Sequence, residues 1–126
     1  MKIAAILLCA GSGDRFFNNI PKQFHMLGDK KLYLHALDTL KSSYPFFEIA
    51  IVHQKSHLHY FDPHPDCKMI EGGSTRQESV FLGLKSLDEP DCVMIFESAR
   101  PFITKKLIEQ HITLSLIHIS EPTRPY

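Results

Sequence analysis

No sign of charge predominates in this chain: fourteen lysines and arginines balance fourteen aspartates and glutamates. A neutral balance supplies no global field to hold nucleic acid or an anionic membrane surface. Long hydrophobic runs are also lacking. The longest, Ile3–Ala10, is far short of the ~20 residues that a bilayer span needs. The polar string Gly11-Ser12-Gly13-Asp14-Arg15 that follows it is no signal-cleavage site. These absences predict a cytoplasmic protein with neither a membrane nor a nucleic-acid partner. Cysteine is sparse and odd in number. Cys9 and Cys92 sit in apolar runs and Cys67 leads into one, so buried reduced thiols are expected rather than disulfides or metal ligands. There is no internal repeat and no low-complexity linker. What is present, 126 residues with 44% hydrophobic and 22% charged, suits one globular domain of ordinary size.

Ile3–Ala10 shows no polar alternation, the pattern of a central parallel strand buried on both faces. Tyr33, Leu37 and Leu40 recur at helical spacing, and that helix is expected to end before Tyr44-Pro45, since proline disfavours helix at the residue before it. Phe47–Val52 reads as a second strand and Met69–Ile70 as the close of a short third one. Thr75–Leu87 reads as a helix with Val80, Leu84 and Leu87 on one face, and Thr75-Arg76-Gln77-Glu78 can form a capping box at its start. Asp88-Glu89-Pro90 stops it. Cys92–Phe96 reads as a fourth buried strand, and a further helix is expected to start near Thr104. The stretch His53–Pro65 holds four histidines (His53, His57, His59, His64) whose spacing matches no standard zinc pattern, and a solvated loop is expected there. Strands alternating with helices imply a parallel sheet covered on both faces, with ligands beyond the carboxyl ends of its strands.

Gly11-Ser12-Gly13-Asp14-Arg15 directly follows the first strand, where glycines let backbone N–H groups approach an anion closely. No Gly-Lys-Ser/Thr follows, so this is not a Walker A loop. Phe16 stands where a dinucleotide fingerprint needs its third glycine, and no acid ends the second strand, where His53 and Gln54 stand. Alone, the loop reads equally well as a tight turn. Further on come Pro21-Lys22-Gln23. A loop with Arg15 at one end and Lys22 at the other can wrap a triphosphate from two sides, and Pro21 fixes the backbone before Lys22. Fixed cations serve nucleotidyl transfer because its transition state concentrates charge on the phosphoryl oxygens. Two exposed basic residues remain the plain alternative.

The order Gly-x-Gly-x-Arg, five residues, Pro-Lys-Gln resembles the signature of the 2-C-methyl-D-erythritol 4-phosphate cytidylyltransferases. Gly72-Gly73-Ser74-Thr75-Arg76-Gln77-Glu78-Ser79-Val80 is similar to that family's cytosine- and ribose-reading segment. Glu97-Ser98-Ala99-Arg100-Pro101-Phe102 is similar to its Asp-x-x-Arg-Pro segment, and the likeness runs from about Lys2 to Gln110. The resemblance implies an α/β, Rossmann-like nucleotidyltransferase fold, a mostly parallel sheet flanked by helices, here truncated. It implies transfer of CMP from CTP to a polyol phosphate, methylerythritol phosphate, with release of pyrophosphate and with Mg²⁺ as cofactor, in non-mevalonate isoprenoid precursor synthesis. Cys9, Ala10, Gly11, Ser12 and Gly13 would offer backbone to the base and phosphates. Arg15 and Lys22 would stabilise the pentavalent transition state. Gly73, Ser74 and Ser79 would line the cytosine and ribose pocket, where backbone carbonyls near Gly73 are candidates to accept from the cytosine amino group. Arg76 would help hold this loop, Arg100 would anchor the loop after the fourth strand, and Glu97 would hold Mg²⁺. A sister enzyme acting on ribitol 5-phosphate shares these nucleotide motifs, and a non-catalytic nucleotide-binding module is a further reading.

The chain also departs from the family. Glu97 stands in place of the usual Asp, adding a methylene where Mg²⁺ demands tight octahedral geometry. Phe96 replaces a usual His, and Ser98 a common Ala or Gly. The family's chains are nearly twice as long. Their second half carries the acceptor-substrate residues, a further acid of the Mg²⁺ site and the arm that builds a homodimer. A homodimer is therefore expected of the full-length protein, and no turnover of this fragment alone. Residues 1–113 are read as the nucleotide-binding part of one cytidylyltransferase domain. Leu114–Arg124 resembles the translation of a transposase sequencing-library adaptor, so residues 114–126 are read as a non-native tail. The physical alternative is a strand, with Ile112, Leu114 and Leu116 apolar at period two.

Overall fold

The computed structural model describes residues 2–10 and 20–98. Gly11, Ser12, Gly13, Arg15 and Arg100, the helix expected near Thr104 and the tail from Leu114 lie outside the described residues. Four parallel strands form one sheet in the order β5-β4-β1-β6, comprising Ile3–Cys9 (β1), Glu48–His53 (β4), Lys68–Glu71 (β5) and Cys92–Glu97 (β6). The unbroken apolar run of β1 lies at the sheet's centre, every residue of it buried. That is the environment such a run requires, since helices cover both faces of a parallel sheet. A short antiparallel hairpin, Met26–Leu27 (β2) and Lys30–Lys31 (β3), stands apart from the sheet. It turns through Gly28, whose φ of 69° is one that side-chain-bearing residues rarely adopt.

The pleat of β1 divides the core in two. Ile3, Ala5, Leu7 and Cys9 join Tyr33, Ala36, Leu37 and Leu40 of helix α1 (Leu32–Ser43) on one face. Ala4, Ile6, Leu8 and Ala10 join Ala50, Val52 and Leu87 on the other, beneath helix α2 (Arg76–Ser86). α1 ends at Ser43, as the Tyr44-Pro45 pair predicts. No described helix is long and apolar enough to cross a membrane.

Three expectations need correction. On α2, Val80 and Leu87 pack on the sheet as expected, but Leu84 is 42% exposed, and the buried positions of the helix itself are Ser79 and Gly83. Small residues decide this: a Cβ on Gly83 would meet Val52 Cγ2 at 3.0 Å and Ile6 Cδ1 at 3.1 Å, so α2 approaches the sheet through its glycine. The histidine stretch is no solvated loop, because Lys55–Tyr60 forms a 3-10 helix and His53 and His57 are buried. Its aromatic residues account for this, Tyr60 stacking on Phe24 at 4.7 Å between ring centroids and Phe61 packing on Tyr33 at 4.8 Å. Finally, all three cysteines are free, but only Cys9 is fully buried, while Cys67 at the sheet's margin and Cys92 at the start of β6 are half-buried.

Candidate functional site

All four strands end at the same edge of the sheet. Cys9 pairs with His53, His53 with Glu71, and Leu8 with Glu97. The chain therefore leaves the sheet beside Ala10 three more times, at Gln54, Gly72 and Ser98. Backbone bonds knit these exits together, Gly72 N donating to His53 O at 2.7 Å and Ser98 N to Leu8 O at 3.1 Å. Over the ends of β1 and β6 opens a cavity of about 290 Å³, lined by Leu8, Ala10, Gln54, Gly73, Ser74, Thr75, Arg76, Ser79 and Glu97. Its size falls near the lower end of the range of small-molecule sites, roughly 300–1,000 Å³. The structure thus brings together six of the residues singled out from sequence: Ala10, Gly73, Ser74, Arg76, Ser79 and Glu97.

The loop into α2 has a tightly determined shape. A Cβ on Gly72 would meet Ser79 Oγ at 2.7 Å, Ala10 Cβ at 2.8 Å and Val52 Cγ1 at 3.1 Å. Gly73 lies against Glu78, where a Cβ would come within 2.5 Å of that side chain. Ser79, itself buried, accepts from Gly73 N at 3.2 Å. Thr75 caps the helix, its Oγ1 accepting from Glu78 N at 3.1 Å. The other half of the expected capping box is displaced by one residue. The Glu78 carboxylate accepts from Ser74 N at 3.2 Å and from Ser74 Oγ at 3.1 Å, not from the Thr75 backbone. Gly72→Val is expected to cost about 1–3 kcal/mol of stability, since Ala10 and Val52 belong to the packed sheet and cannot yield freely. Thermal melts of parent and variant check this, and an unchanged midpoint would show that the loop absorbs the side chain.

Arg76 and Glu97 face each other across the cavity mouth. The guanidinium donates from Nε at 2.9 Å and from Nη2 at 2.8 Å to the same carboxylate oxygen, Oε1. Arg76 thus ties the α2 loop to the end of β6. Both partners are substantially exposed, so the pair links the two loops more than it stabilises the fold. Among the described residues no three histidine, cysteine or acidic side chains gather as metal ligands would.

Lys22 and Cys9 are not part of the cavity wall. Cys9 belongs to the α1-side core, where burial pushes its thiol up to about 12. Its carbonyl accepts from Gln23 Nε2 at 3.0 Å. Lys22 opens a 3-10 turn, Lys22–Phe24, behind buried Pro21. Gln23 and Phe24 anchor that turn, Gln23 on the end of β1 and Phe24 among Tyr33, His57, Tyr60 and Phe61. The Ala10 carbonyl is occupied in the same manner, accepting from Gln54 Nε2 at 2.5 Å. Sequence reasoning missed the roles of Gln23 and Gln54 and put the Glu78 carboxylate one residue away from its partner Ser74. Gln23 lay inside the Pro-Lys-Gln string and Glu78 inside the α2 segment, but only the register of the strands shows which groups they reach.

A parallel sheet whose strand ends carry a cavity walled by the glycine-bearing loop before α2 makes this a Rossmann-like α/β domain of the nucleotidyltransferase type. The sequence pattern of IspD, 2-C-methyl-D-erythritol 4-phosphate cytidylyltransferase, matches residues 3–121, and the chain belongs to that family. A 2-C-methyl-D-erythritol 4-phosphate cytidylyltransferase of Clostridium perfringens (strain SM101 / Type A) is 33% identical over 121 residues, covering 90% of this chain and 54% of that protein. One from Chlamydia caviae is 40% identical over 102 residues, 81% of this chain and 47% of that protein. Among solved structures, the bifunctional IspDF of Campylobacter jejuni superposes with a TM-score of 0.78 at 34% identity, over 90% of this chain and 30% of that one. The manganese complex of Rv0371c from Mycobacterium tuberculosis, 14% identical with a TM-score of 0.72 over 91% of this chain and 60% of that one, shares the fold. The chain spans about half the length of the curated cytidylyltransferases it matches.

Proposed function

We propose that this chain is the nucleotide-binding half of a cytidylyltransferase that transfers CMP from CTP to 2-C-methyl-D-erythritol 4-phosphate. The supporting observation is the cavity at the strand ends, which collects Ala10, Gly73, Ser74, Ser79, Arg76 and Glu97 from three separate motifs. In this reading a phosphate oxygen of the acceptor attacks the α-phosphorus of CTP, the bond to the β-phosphate oxygen breaks, and pyrophosphate leaves with the electron pair. The Gly73–Ser79 wall holds the base and ribose. Gly11, Ser12 and Gly13 offer N–H groups to the phosphates, and Arg15 and Lys22 act on the charge that develops at the α-phosphate. Gln23 and Phe24 keep Lys22 in register with the end of β1.

Mg²⁺ fits the donors present. It is commonly held by one or two carboxylates together with substrate phosphates, and Glu97 supplies one carboxylate on the cavity wall. When bound, the ion neutralises phosphate charge. Arg76 keeps Glu97 turned toward the α2 loop through its two contacts with Oε1. Calorimetric titration of the chain with CTP, UTP and ATP in the presence of Mg²⁺ tests the nucleotide assignment, and CTP is expected to bind tightest. Equal or tighter ATP binding overturns it. Pyrophosphate release dependent on methylerythritol phosphate, from a chain continued with the second half of a relative, tests whether this half supports the transfer. No release, where the intact relative turns over, overturns that part.

A further inference from the structure

We infer that Gln54 reads the nucleobase, its side-chain carbonyl oxygen accepting from an exocyclic amino group and so favouring a cytosine edge over a uracil edge. This rests on the nucleotide-binding reading above and deepens it. Gln54 is the first residue after β4, and the register that pairs Cys9 with His53 sets it level with Ala10. Its Nε2 donates to the Ala10 carbonyl. A carbonyl accepts only from the NH₂ end of a carboxamide, so this contact decides which way the amide faces. Among the described residues Oε1 has no hydrogen-bond donor. Gln54 lines the cavity over β1, and it also lines the more open hollow beside Glu71–Ser74, so its amide forms part of the partition between the two.

Three other side-chain acceptors on the cavity wall hold partners within the chain, and the second Glu97 oxygen is the one left to Mg²⁺ in the reading above. Glu97 Oε1 holds Arg76, Thr75 Oγ1 holds Glu78 N, and Ser79 Oγ holds Gly73 N. The Ala10 carbonyl, at the tip of the central strand, is capped by Gln54 itself. Cytosine presents an amino donor at the position where uracil presents a carbonyl. An oriented carbonyl oxygen attracts the first and repels the second, so a single group supplies both the favourable contact and the rejection.

The experiment is calorimetric titration of the chain and two variants with CTP and with UTP, Mg²⁺ present, after circular dichroism has shown matching folds. Gln54→Met keeps the length of the side chain and removes both donor and acceptor. Gln54→Glu keeps an acceptor and removes the donor. The parent is expected to prefer CTP. Gln54→Met is expected to lower the ratio of UTP to CTP Kd roughly tenfold, mainly by weakening CTP, while Gln54→Glu retains the preference. A parent that prefers CTP together with a Gln54→Met variant of unchanged ratio overturns the inference and leaves the functional reading standing. Tighter CTP binding by Gln54→Met also overturns it, for Gln54 would then merely block the Ala10 carbonyl. A parent that binds CTP no better than ATP overturns the functional reading and this inference with it.

Discussion

Lys22→Ala, in a chain continued with the second half of a cytidylyltransferase relative, is expected to lower kcat about 10²-fold while CTP binding changes little. Lys22 is half-buried at the head of a turn whose next two residues are fully buried. Gln23 ties the turn to the Cys9 carbonyl at 3.0 Å, and Phe24 is packed by four rings. A cation on so firm a base needs no reorganisation when charge builds on the α-phosphate, the condition under which one contact is worth about 3 kcal/mol in the transition state. Arg15→Ala is expected to act in the same way from the other end of the loop. Steady-state kinetics decide between the two roles a cation can have. A loss carried by KM alone would mean that the loop binds substrate uniformly and does not favour the transition state. Gln23→Ala supplies a control, since it leaves the charge but frees its support. Its effect should appear in kcat as well, because Gln23 holds the turn that carries Lys22.

Tyr33→Ala is expected to destabilise the fold by about 3–5 kcal/mol, the usual cost of deleting a large buried aromatic side chain. Tyr33 is fully buried, packs edge-on against Phe24 at 5.8 Å and Phe61 at 4.8 Å, and its hydroxyl accepts from Asp62 N at 3.0 Å and bonds His64 Nε2 at 3.2 Å. It therefore joins α1, the Lys22 turn and the segment after the 3-10 helix. Urea unfolding of parent and variant measures the loss, and a change below about 1 kcal/mol would show that the cluster closes over the void. Tyr33→Phe keeps the ring and strands the Asp62 N–H, at a smaller cost of about 1–3 kcal/mol. Burial also raises the phenol from 10.0 to about 12. Because the folded value lies above the unfolded one, the neutral phenol's contribution is complete below pH 10 and is lost as pH rises through 12. Tyr33→Phe should flatten that alkaline loss.

The strands were legible because their burial is written into local composition. Ile3–Ala10 has no polar residue, and only a strand covered on both sides accommodates that. Strand ends moved by a residue or two, with Glu48–His53 found for Phe47–Val52 and Lys68–Glu71 for Met69–Ile70. Such shifts are expected, because the last ladder bonds depend on the partner strand. The inner face of α2 was misread in part, for a different reason. Apolar spacing selects Val80, Leu84 and Leu87, of which Val80 and Leu87 do pack on the sheet, whereas the close approach to Ile6 and Val52 is made by Gly83 and leaves Leu84 exposed. The histidine stretch was misread because its polar composition hides the aromatic anchors Tyr60 and Phe61, whose partners Phe24 and Tyr33 are distant in sequence.

By itself, then, the order of residues determined the class of fold, the two covering helices and the three motif segments, since hydrophobic run length, helical spacing and glycine placement act within a dozen residues of one another. Only the tertiary structure decided that Gln23 and Gln54 cap the carbonyls at the end of β1, that Glu78 clamps Ser74, and that Arg76 holds Glu97. Each of the pairings formed by Gln23, Gln54 and Arg76 joins groups brought within about 3 Å by strand register and helix seating, and neither quantity is encoded in any one segment alone.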